Sequence, residues 1–535
     1  MNRKPDWLQS KGYLHITPSL NMESNWKSSY YKITSPEYVA KYAFFPLLHR
    51  ILSDRKYKKP NAIKHIGTKR AHKHRIIGEN RVEKSAKNRP LHYASHFDSL
   101  IYAYYAEKLG ELYDIELKKD DELEKAILAY RRIAISEINP KGKSNIHFAN
   151  EVFKEINDRV ELNGDTSVLA IDLKSFFSSL AHDILYDVWA KLIGENTLPA
   201  DHKNVFKACT NFSYIMYNDL KVKGSHRFNE SKLAKIRRNN GYKSFFESNE
   251  DFRNEIKSGK LNIYKNPFRR IDEQTGKKVL RGIPQGLPIS AVLANLYLLD
   301  FDRTIIEELV KRYNVHYRRY SDDILLLCKP DQVSQVDQFI DNLIAKYKIE
   351  ISKEKTELFL FKKVIYNKNG DTRTTAIKLK DNQEIIDSPL TYLGFEFRGY
   401  NTLIKSTNLA KYYRRIIQII KRRARRAIRL SQHNPNIPKA VYLNQVKKLY
   451  NSPLKHSSKT EIKQVFRKRY SLKINECGDF IFDHFDVEVK NHSNYMSYIR
   501  RCKKEFLTNS FSKQLKKRRQ IIGQAISKHL KRNDC

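Results

Sequence analysis

Cysteine is scarce in this sequence, and the few cysteines stand far apart. The 535 residues include only 5 of them, Cys209, Cys328, Cys477, Cys502 and Cys535, and no two form a Cys-x-x-Cys pair. This spacing excludes the paired-cysteine zinc sites and the disulfide frameworks that cysteine patterns otherwise predict. We therefore expect a protein of a reducing compartment, the cytoplasm.

Long apolar runs are also missing, and acidic residues are too few to balance the basic ones. No stretch of about 18 apolar residues occurs, and Met1–Ser19 lacks the apolar core of a signal peptide, so we expect no membrane partner. Lys and Arg number 101 against 59 Asp and Glu, which gives a formal net charge of +42. This excess indicates a polyanionic partner, most simply a nucleic acid.

Two adjacent carboxylates, Asp322 and Asp323, stand between two β-forming segments. His316–Arg319 precedes them and Ile324–Cys328 follows, so the pattern predicts a hairpin with the acidic pair at its turn. Most Asp pairs are simply solvated turn residues, because turns favour Asp. In a buried hairpin, however, two carboxylates repel each other and are costly to desolvate. A divalent metal ion is the usual counter-charge.

A third carboxylate, Asp172, stands at the end of a short apolar run far upstream. The run Val168–Ile171 follows the turn residues Asn163-Gly164-Asp165 and is therefore predicted to be a buried strand. A carboxylate at a strand end beside an acidic hairpin matches the needs of a two-metal phosphoryl-transfer site. Mg²⁺ prefers such oxygen ligands, so we expect two Mg²⁺ ions, with Mn²⁺ as the alternative.

These carboxylates belong to an ordered series of motifs that resembles a reverse transcriptase. The resemblance covers roughly residues 85 to 400, and the ordered set is far more specific than any one member. The motifs are Asp172–Phe177, Gln285–Ser290 followed by Leu293–Leu298, the box Tyr320–Asp323, Lys355–Glu357, and the hairpin Tyr392–Phe395.

The resemblance implies an α+β right-hand polymerase fold, in which fingers and a helical thumb flank a palm with an antiparallel sheet. The expected divisions are an N-terminal segment 1–34, fingers 35–165, palm 166–400 with a fingers-side insertion at about 196–280, thumb 401–452, and a basic helical C-terminal extension 453–535. Locally, helical spacing predicts a helix over 35–55, with Pro46 able to split it. Another helix is expected to open at Arg89–Asp98.

The resemblance also assigns roles to individual residues. The catalytic residues it implies are Asp172, Asp322, Asp323 and Lys355, and the metal ligands are Asp172, Leu173, Asp322 and Asp323. Lys355 would protonate the departing pyrophosphate, although a solvated charge explains it equally well. Phe177 would pack under the incoming sugar and favour deoxynucleotides. The other nucleotide-binding candidates are Gln285, Gly286, Arg131, Arg132 and Lys143, of which the three cations fit a solvated surface equally well.

Nucleic-acid contacts are expected from the acidic box, the 392–397 hairpin and a basic helix in the thumb. This helix carries one apolar stripe among many arginines, which suits a duplex held by its backbone. The candidates are Tyr320, Ser321, Tyr392, Leu393, Gly394, Arg414, Arg415, Arg422 and Arg423. The basic segment 55–89 is a further candidate for template contact. Two histidines, His92 and His96, stand four apart, but no third zinc ligand accompanies them at zincin spacing.

Within reverse transcriptases, the fingers resemble bacterial defence-associated enzymes of the abortive-infection or "unknown group" class, with a palm like that of retron and group II intron enzymes. The segments that carry this resemblance are Arg89–Asp98, Ala129–Arg132 and Lys143–Ala149. It implies RNA-directed DNA synthesis from dNTPs on a dedicated non-coding RNA, in antiphage defence. The alternatives are protein-primed or untemplated DNA synthesis and a maturase-like RNA-binding scaffold, and a homo-oligomer stays open.

Overall fold

The computed structural model describes residues 3–9, 11–18, 20, 22, 26–240, 244–271, 276–381, 383–450, 466–474, 480–488 and 494–531. Its helices and strands form the α+β fold predicted from the sequence, with a six-stranded sheet at the centre. In the described part of the chain, no helix is both long and apolar enough to cross a membrane.

The first part of the chain combines a small sheet with long helices. Its elements are α1 Trp26–Thr34, α2 Pro36–Lys41, β1 Leu47–Arg55, β2 Lys73–Arg75, β3 Val82–Lys84, β4 Ala86–Tyr93, α3 His96–Leu117, α4 Asp121–Ala126 and α5 Asn145–Asn163. The predicted helix over 35–55 is wrong beyond its first turns, because α2 ends at Lys41 and the chain continues as strand β1. This end comes five residues before Pro46, which disfavours helix only at Phe45, and the pairing of β1 with β4 and β6 holds the following residues as a strand.

The helix predicted to open at Arg89 begins later. Residues 86–93 form strand β4, paired antiparallel with β1, and α3 starts at His96 with the Ser95 side chain accepting from Asp98 N. An N-terminal cap of this kind defines where a helix can begin. His92 therefore lies in a strand and His96 in a helix, so the two do not share one helical face.

The middle of the chain supplies the central sheet and the helices that cover it. Its elements are β5 Thr166–Asp172, α6 Phe176–Ser179, α7 His182–Leu192, α8 Ala200–Thr210, β6 Ser213–Met216, α9 Glu230–Asn240, α10 Asn249–Lys257, β7 Tyr264–Lys265, β8 Arg269–Ile271, β9 Lys278–Leu280, α11 Ser290–Tyr297, α12 Leu299–Ile305, a π-helix Ile306–Val310, α13 Lys311–Tyr313, β10 His316–Tyr320, β11 Asp323–Cys328, a 3-10 turn Pro330–Gln332, α14 Val333–Lys346, β12 Glu357–Ile365, β13 Thr372–Lys380 and β14 Gln383–Ile386.

The central sheet has the order β10-β11-β5-β12-β13-β14, with every neighbouring pair antiparallel. Side chains alternate between its two faces, as strand geometry requires. Val168, Leu325 and Leu327 pack on the side of α5, whereas Ile324 and Leu326 pack into the larger core with α3 and α11. Burial on both faces explains why β11 is apolar almost throughout.

The insertion at about 196–280 joins the fingers sheet. Strand β6 pairs in parallel with β1, and β7 pairs with β6, which gives the four-stranded order β4-β1-β6-β7. This parallel pairing connects residues far apart in sequence, such as Leu48 with Ile215. The segment therefore completes the sheet that β1 and β4 begin.

The last part of the chain starts with a three-stranded sheet and continues with the thumb. Its elements are β15 Leu390–Tyr392, β16 Phe395–Phe397, β17 Thr402–Ile404, α15 Ser406–His433, α16 Leu443–Tyr450, β18 Phe466–Ile474, β19 Phe480–Glu488, α17 Tyr495–Glu505, α18 Ser510–Gln514 and α19 Arg518–Lys531. Strands β15 and β16 form the hairpin predicted at 392–397. The prediction of an all-helical region 453–535 is wrong in part, because β18 and β19 pair antiparallel. Cys477 and Cys535 lie outside the described residues.

The C-terminal helices pack back onto the palm and thumb. Asn150 Nδ2 on α5 donates to the carbonyl oxygen of Glu505 at 3.1 Å. The Gln514 amide forms two hydrogen bonds with the backbone of Ile404 in β17, at 3.0 and 3.1 Å. Apolar residues of α19, including Ile522, share a buried cluster with Ile416 and Ile420 of α15. These contacts tie the end of the chain to the elements that surround the central sheet.

The Phe153–Phe397 stack joins α5 to the 390–404 sheet, with ring centroids 4.3 Å apart and an interplanar angle of 6°. Truncating a buried aromatic side chain removes its contacts and leaves a cavity, so Phe153→Ala should cost about 3–5 kcal/mol of unfolding free energy. Leu162→Ala on the same helix should change it little, because Leu162 is 82% exposed. Chemical denaturation of the three proteins measures both effects. Equal stability of the two variants would contradict this packing.

Candidate active site

The pairing of β5 with β11 brings the three predicted carboxylates to one end of the central sheet. In the antiparallel register, Asp172 lies directly opposite Asp323. Beyond the last pair, Leu173 N donates to the carbonyl oxygen of Asp322 at 3.0 Å. Ser321 makes the turn with a left-handed φ of +61°. The hairpin predicted from residues 316–328 is therefore present, and its turn lies against the end of β5.

The electrostatics of this corner show that it needs positive charge. Burial, first, and the nearby charges of Asp322 and Asp172 together raise the pKa of the Asp323 carboxyl to about 6. A raised carboxyl pKa means that the surroundings penalise the charged form. Lys355 opposes this effect, and its ammonium group donates to Asp172 Oδ2. The exposed side chain of Lys355 is thus the counter-charge that the protein itself provides.

A short segment of chain holds Lys355 against β5. Leu173 forms an isolated antiparallel bridge with Ile351, and Ser352 N donates to the carbonyl oxygen of Asp172 at 2.8 Å. Lys355 N then donates to the carbonyl oxygen of Ser352 at 2.8 Å. This tight turn places the Lys355 side chain over the carboxylates. The predicted motif around residue 355 is therefore next to the acidic corner.

The chemistry of the corner fits a hard divalent cation. Its donors are carboxylate oxygens, which Mg²⁺ and Mn²⁺ prefer. Burial and the charges of Asp322 and Asp172 raise the pKa of Asp323, and a bound cation would oppose this effect. Within the described residues, no three Asp, Glu, His or Cys side chains are arranged as a ready-made metal site. In this arrangement the ammonium group of Lys355 forms an ion pair with Oδ2 of Asp172.

A cleft of about 1,090 Å³ opens from the carboxylates towards the fingers. Its walls include the predicted residues Asp172, Leu173, Phe177, Gln285, Asp322 and Lys355, together with Lys87, Asn88, Arg89, Tyr130 and Lys174. Phe177 is half-buried and contacts the ring of Phe176 edge-on, so its ring is shared between the core and the cleft.

The loop that carries Gln285 and Gly286 is pressed onto strand β4. His92 N donates to the carbonyl oxygen of Gln285 at 2.8 Å. Gly286 has a φ of +116°, and a Cβ there would lie 2.7 Å from the carbonyl oxygen of His92. Only glycine permits this conformation and this close approach together. The strand β4 and the loop with Gln285 and Gly286 thus meet at one edge of the cleft.

The structure places none of the three predicted triphosphate-binding cations among the residues that line this cleft. Arg131 is buried and donates from Nε to Asp114 Oδ1 at 2.6 Å and from Nη1 to the carbonyl oxygens of Glu124 and Ile127. Lys143 pairs with Glu151 at 2.6 Å, beside a different cavity. Arg132 is exposed and is not among the residues that line the cleft.

Lys87 and Arg89 line the cleft instead. The sequence reasoning placed them only within the basic segment 55–89 expected to contact the template and did not single them out for nucleotide binding. They stand two apart on β4, and a two-residue spacing places side chains on one face of a strand. This alternation was the available signal, but the expectation of a helix from Arg89 concealed it. Arg89 Nη1 also lies 4.0 Å from Asp54 Oδ2 on the neighbouring strand β1.

The predicted nucleic-acid-binding residues are divided between exposed and buried positions. Tyr320 donates from its hydroxyl to Asn145 Oδ1 at 3.0 Å, and Ser321 is buried at the turn. Tyr392 is buried, and burial raises the pKa of its hydroxyl well above the usual value. Leu393 and Gly394 form the turn between β15 and β16 with φ values of +44° and +95°. The backbone of this hairpin is therefore more available than the Tyr392 ring.

The arginines of α15 surround a buried stripe formed by Ile416, Ile420, Ala424 and Ile428. Arg415 is exposed, and Arg422 and Arg423 line a second cavity of about 590 Å³ with residues 437–442.

The beginning of the same helix contacts the fingers. Arg414 Cζ lies 4.0 Å from the centre of the Tyr57 ring, and Lys411 Nζ donates to Asp54 Oδ2 at 2.9 Å. These contacts connect the thumb helix with the fingers above the cleft.

The comparisons with known proteins agree with this geometry. Residues 246–397 match the family model of the reverse transcriptase, or RNA-dependent DNA polymerase. The match includes the Gln285 loop, the Tyr320–Asp323 box and Lys355, whereas Asp172 precedes it. It covers well under half of the chain. A search of curated proteins finds no significant match.

Several solved telomerase structures have a similar fold. A Candida tropicalis telomerase truncated from its C-terminal domain is 10% identical, with a TM-score of 0.36 over 60% of this chain and 54% of that one. Candida albicans telomerase, in complex with a fragment of telomeric RNA, is 13% identical, with a TM-score of 0.31 over 63% and 48%. The chain thus spans about half of the length of these telomerases, and likeness at this level carries no inference about function.

The fold therefore mixes helix and sheet, with carboxylates at one end of the central antiparallel strands. More particularly, residues 246–397 of this chain match the reverse transcriptase (RNA-dependent DNA polymerase) family model. Reverse transcriptase domains generally use divalent metal ions.

Proposed function

We propose that this protein synthesises DNA from dNTPs on an RNA template, by nucleotidyl transfer at the corner formed by Asp172, Asp322 and Asp323. The observation that carries the proposal is the β5–β11 register, which sets Asp172 opposite Asp323 at the end of the central sheet. The raised pKa of Asp323 supports it, because burial and the neighbouring carboxylates both penalise the charged form, which a bound cation would stabilise.

The side chains of Asp172, Asp322 and Asp323, with the backbone of Leu173, would hold the metal ions. When bound, two Mg²⁺ ions would activate a priming hydroxyl and stabilise the leaving pyrophosphate. Lys355, whose ammonium group already donates to Asp172 Oδ2, would donate a proton to the pyrophosphate. The protein's contribution is mainly to position these groups and to neutralise charge.

The cleft walls account for the binding of a nucleotide. Lys87 and Arg89 on β4 extend into the cleft and would contact the triphosphate, since both are cationic and line its fingers side. Phe177 would pack under the sugar and disfavour a ribose 2′-hydroxyl. The close approach of the Gly286 backbone to β4 shapes the edge where Gln285 would meet the template base.

The template is proposed to be a dedicated non-coding RNA used in antiphage defence. The support is the resemblance of the segments 89–98, 129–132 and 143–149 to defence-associated reverse transcriptases. The formal net charge of +42 fits extensive contact with nucleic acid. The exposed arginines of α15, including Arg415 and Arg422, would follow the backbone of the duplex.

The first test replaces Asp322 by Asn, which keeps the size and the backbone contacts of the turn. The rate of DNA synthesis should fall on the order of 10³-fold, because charge stabilisation worth several kcal/mol is lost, while RNA affinity stays near that of the unmodified protein. Asp187→Asn, at an exposed position on α7, is the matched control and should keep full activity. Primer-extension rates and filter binding measure the two properties. A parallel loss of RNA binding would show that Asp322 is structural.

The second test identifies the template. The protein is purified with its bound nucleic acid, supplied with Mg²⁺ and either dNTPs or NTPs, and the products are sequenced. A single co-purified RNA together with its complementary DNA is the expected result. Untemplated DNA joined covalently to the protein would replace this proposal with protein-primed synthesis. RNA binding with no product from either nucleotide set would favour a maturase-like scaffold.

The third test separates the cations that line the cleft from those expected from the sequence. Lys87→Gln should raise KM for dNTPs about tenfold, the effect of losing one charge-assisted hydrogen bond. Lys143→Gln should leave KM unchanged, since Lys143 pairs with Glu151 beside another cavity. Steady-state kinetics with a fixed template and primer give both values. If instead Lys143→Gln raised KM and Lys87→Gln left it unchanged, the triphosphate site would lie at the segment 131–143.

A further inference from the structure

An ion pair lies completely buried beneath the acidic turn. Arg319 and Asp302 both have 0% side-chain exposure, and the guanidinium donates from Nη2 to Asp302 Oδ2 at 2.6 Å and from Nε to Oδ1 at 2.8 Å. The Tyr317 hydroxyl donates to the same carboxylate at 2.6 Å. Buried ion pairs often stabilise a fold no better than apolar residues would. This pair therefore calls for a role besides stability.

The remaining guanidinium nitrogen of Arg319, Nη1, forms a hydrogen bond with the turn. Its Nη1 donates to the carbonyl oxygen of Ser321 at 3.3 Å and to Asn295 Oδ1 at 3.1 Å. Ser321 is the left-handed residue of the turn, with a φ of +61°. Such a conformation is costly outside glycine and persists when its surroundings hold it. The guanidinium is thus one of the groups that hold it.

A second series of contacts connects Arg319 with Ser321 through Asn295, Ala129 and Tyr130. Asn295 Nδ2 donates to the carbonyl oxygen of Ala129 at 2.9 Å. The next residue, Tyr130, also has a left-handed φ of +62°, and its hydroxyl lies 3.1 Å from Ser321 Oγ. The contacts form a closed ring that runs from Arg319 through Asn295, Ala129 and Tyr130 to Ser321 and back to Arg319.

We propose that Arg319, anchored by Asp302, is a positioning residue that sets the orientation of Asp322 through this ring. Asp322 follows Ser321 directly, and its carbonyl oxygen accepts from Leu173 N at 3.0 Å on the strand that carries Asp172. Arg319 touches no part of the cleft, because it is fully buried. The inference rests on the proposed function in that Asp322 is taken as a metal ligand.

The ring requires the planar fork of arginine. Arg319 addresses the Asp302 carboxylate, the Asn295 amide and the Ser321 carbonyl at once, and a guanidinium has five donors in fixed directions for such a task. A lysine in this position would keep the charge beside Asp302, but its single nitrogen cannot serve all three groups. Arg319→Lys therefore separates charge from orientation.

The test uses Tyr130→Phe, Arg319→Lys and the double variant, with Arg303→Gln as the control. Tyr130 is half exposed, so Tyr130→Phe removes one hydroxyl with little risk to folding. Arg303 lies on α12, the helix of Asp302. It is ion-paired with Asp300 on the same helix and with Glu116 on α3, but it has no bond to the turn. Mn²⁺ binding is followed by electron paramagnetic resonance, counting only the part of the signal that Asp322→Asn removes. Melting temperature and primer-extension kinetics are measured on the same samples.

Both single variants should weaken this Mn²⁺ binding at least threefold and lower kcat about tenfold, with KM for dNTPs nearly unchanged. The double variant should lose less than the product of the single losses, because both changes open the same ring. Arg303→Gln should match the unmodified protein. If Arg319→Lys does not fold, the Tyr130→Phe measurement decides by itself.

A folded variant that lowers only the melting temperature, with Mn²⁺ binding and kcat unchanged, would overturn the proposal and leave the ion pair structural. Absence of a Mn²⁺ signal dependent on Asp322 would overturn it as well. The proposed polymerase function fails differently: Mn²⁺ binding would respond to the variants as expected, while no nucleotide set yields a product.

Discussion

The hydrogen-bonded pairing of β5 with β11 is the constraint on which the rest of the structure depends. It places Asp172 and Asp323 opposite each other and Asp322 at the adjoining turn, so negative charge accumulates at the end of strands that are otherwise apolar. Burial keeps these strands in register, because a slip of one residue would move every side chain to the opposite face and disrupt its packing. The same pairing that stabilises the palm thus creates its electrostatic cost, which Lys355 partly offsets.

Several layers converge on this corner from distant parts of the chain. The fingers sheet combines β1 and β4 with β6 and β7 from the insertion, so the wall that carries Lys87 and Arg89 is built from segments more than a hundred residues apart. The thumb helix contacts the same wall through Lys411 and Asp54. The C-terminal helices α17 and α19 contact α5 and the helix α15, respectively. The cleft is therefore a product of the whole described chain.

Sequence reasoning succeeded where the local pattern and the final environment agree. The apolar run before Asp172, the hairpin around Asp322 and the strand pair at residues 390–397 all occur as predicted, since alternating or buried apolar residues define strands directly. It failed at residues 42–55, where helical spacing of aromatic residues competed with Pro46, and at residues 86–93, where an expected helix hid strand β4. In both places the deciding partner was another strand, β6 or β1, which no local pattern reveals.

The sequence by itself determined the acidic motifs, because the three aspartates and the order of the motifs around them are properties of residue type and spacing. Only the tertiary structure decided which cations face the cleft. Arg131 and Lys87 are equally basic in the sequence, yet one guanidinium is buried against Asp114 and the other side chain lies open in the cleft. The physical reason is that a side chain's role follows from the partners within reach of it, and long-range strand pairing sets those partners.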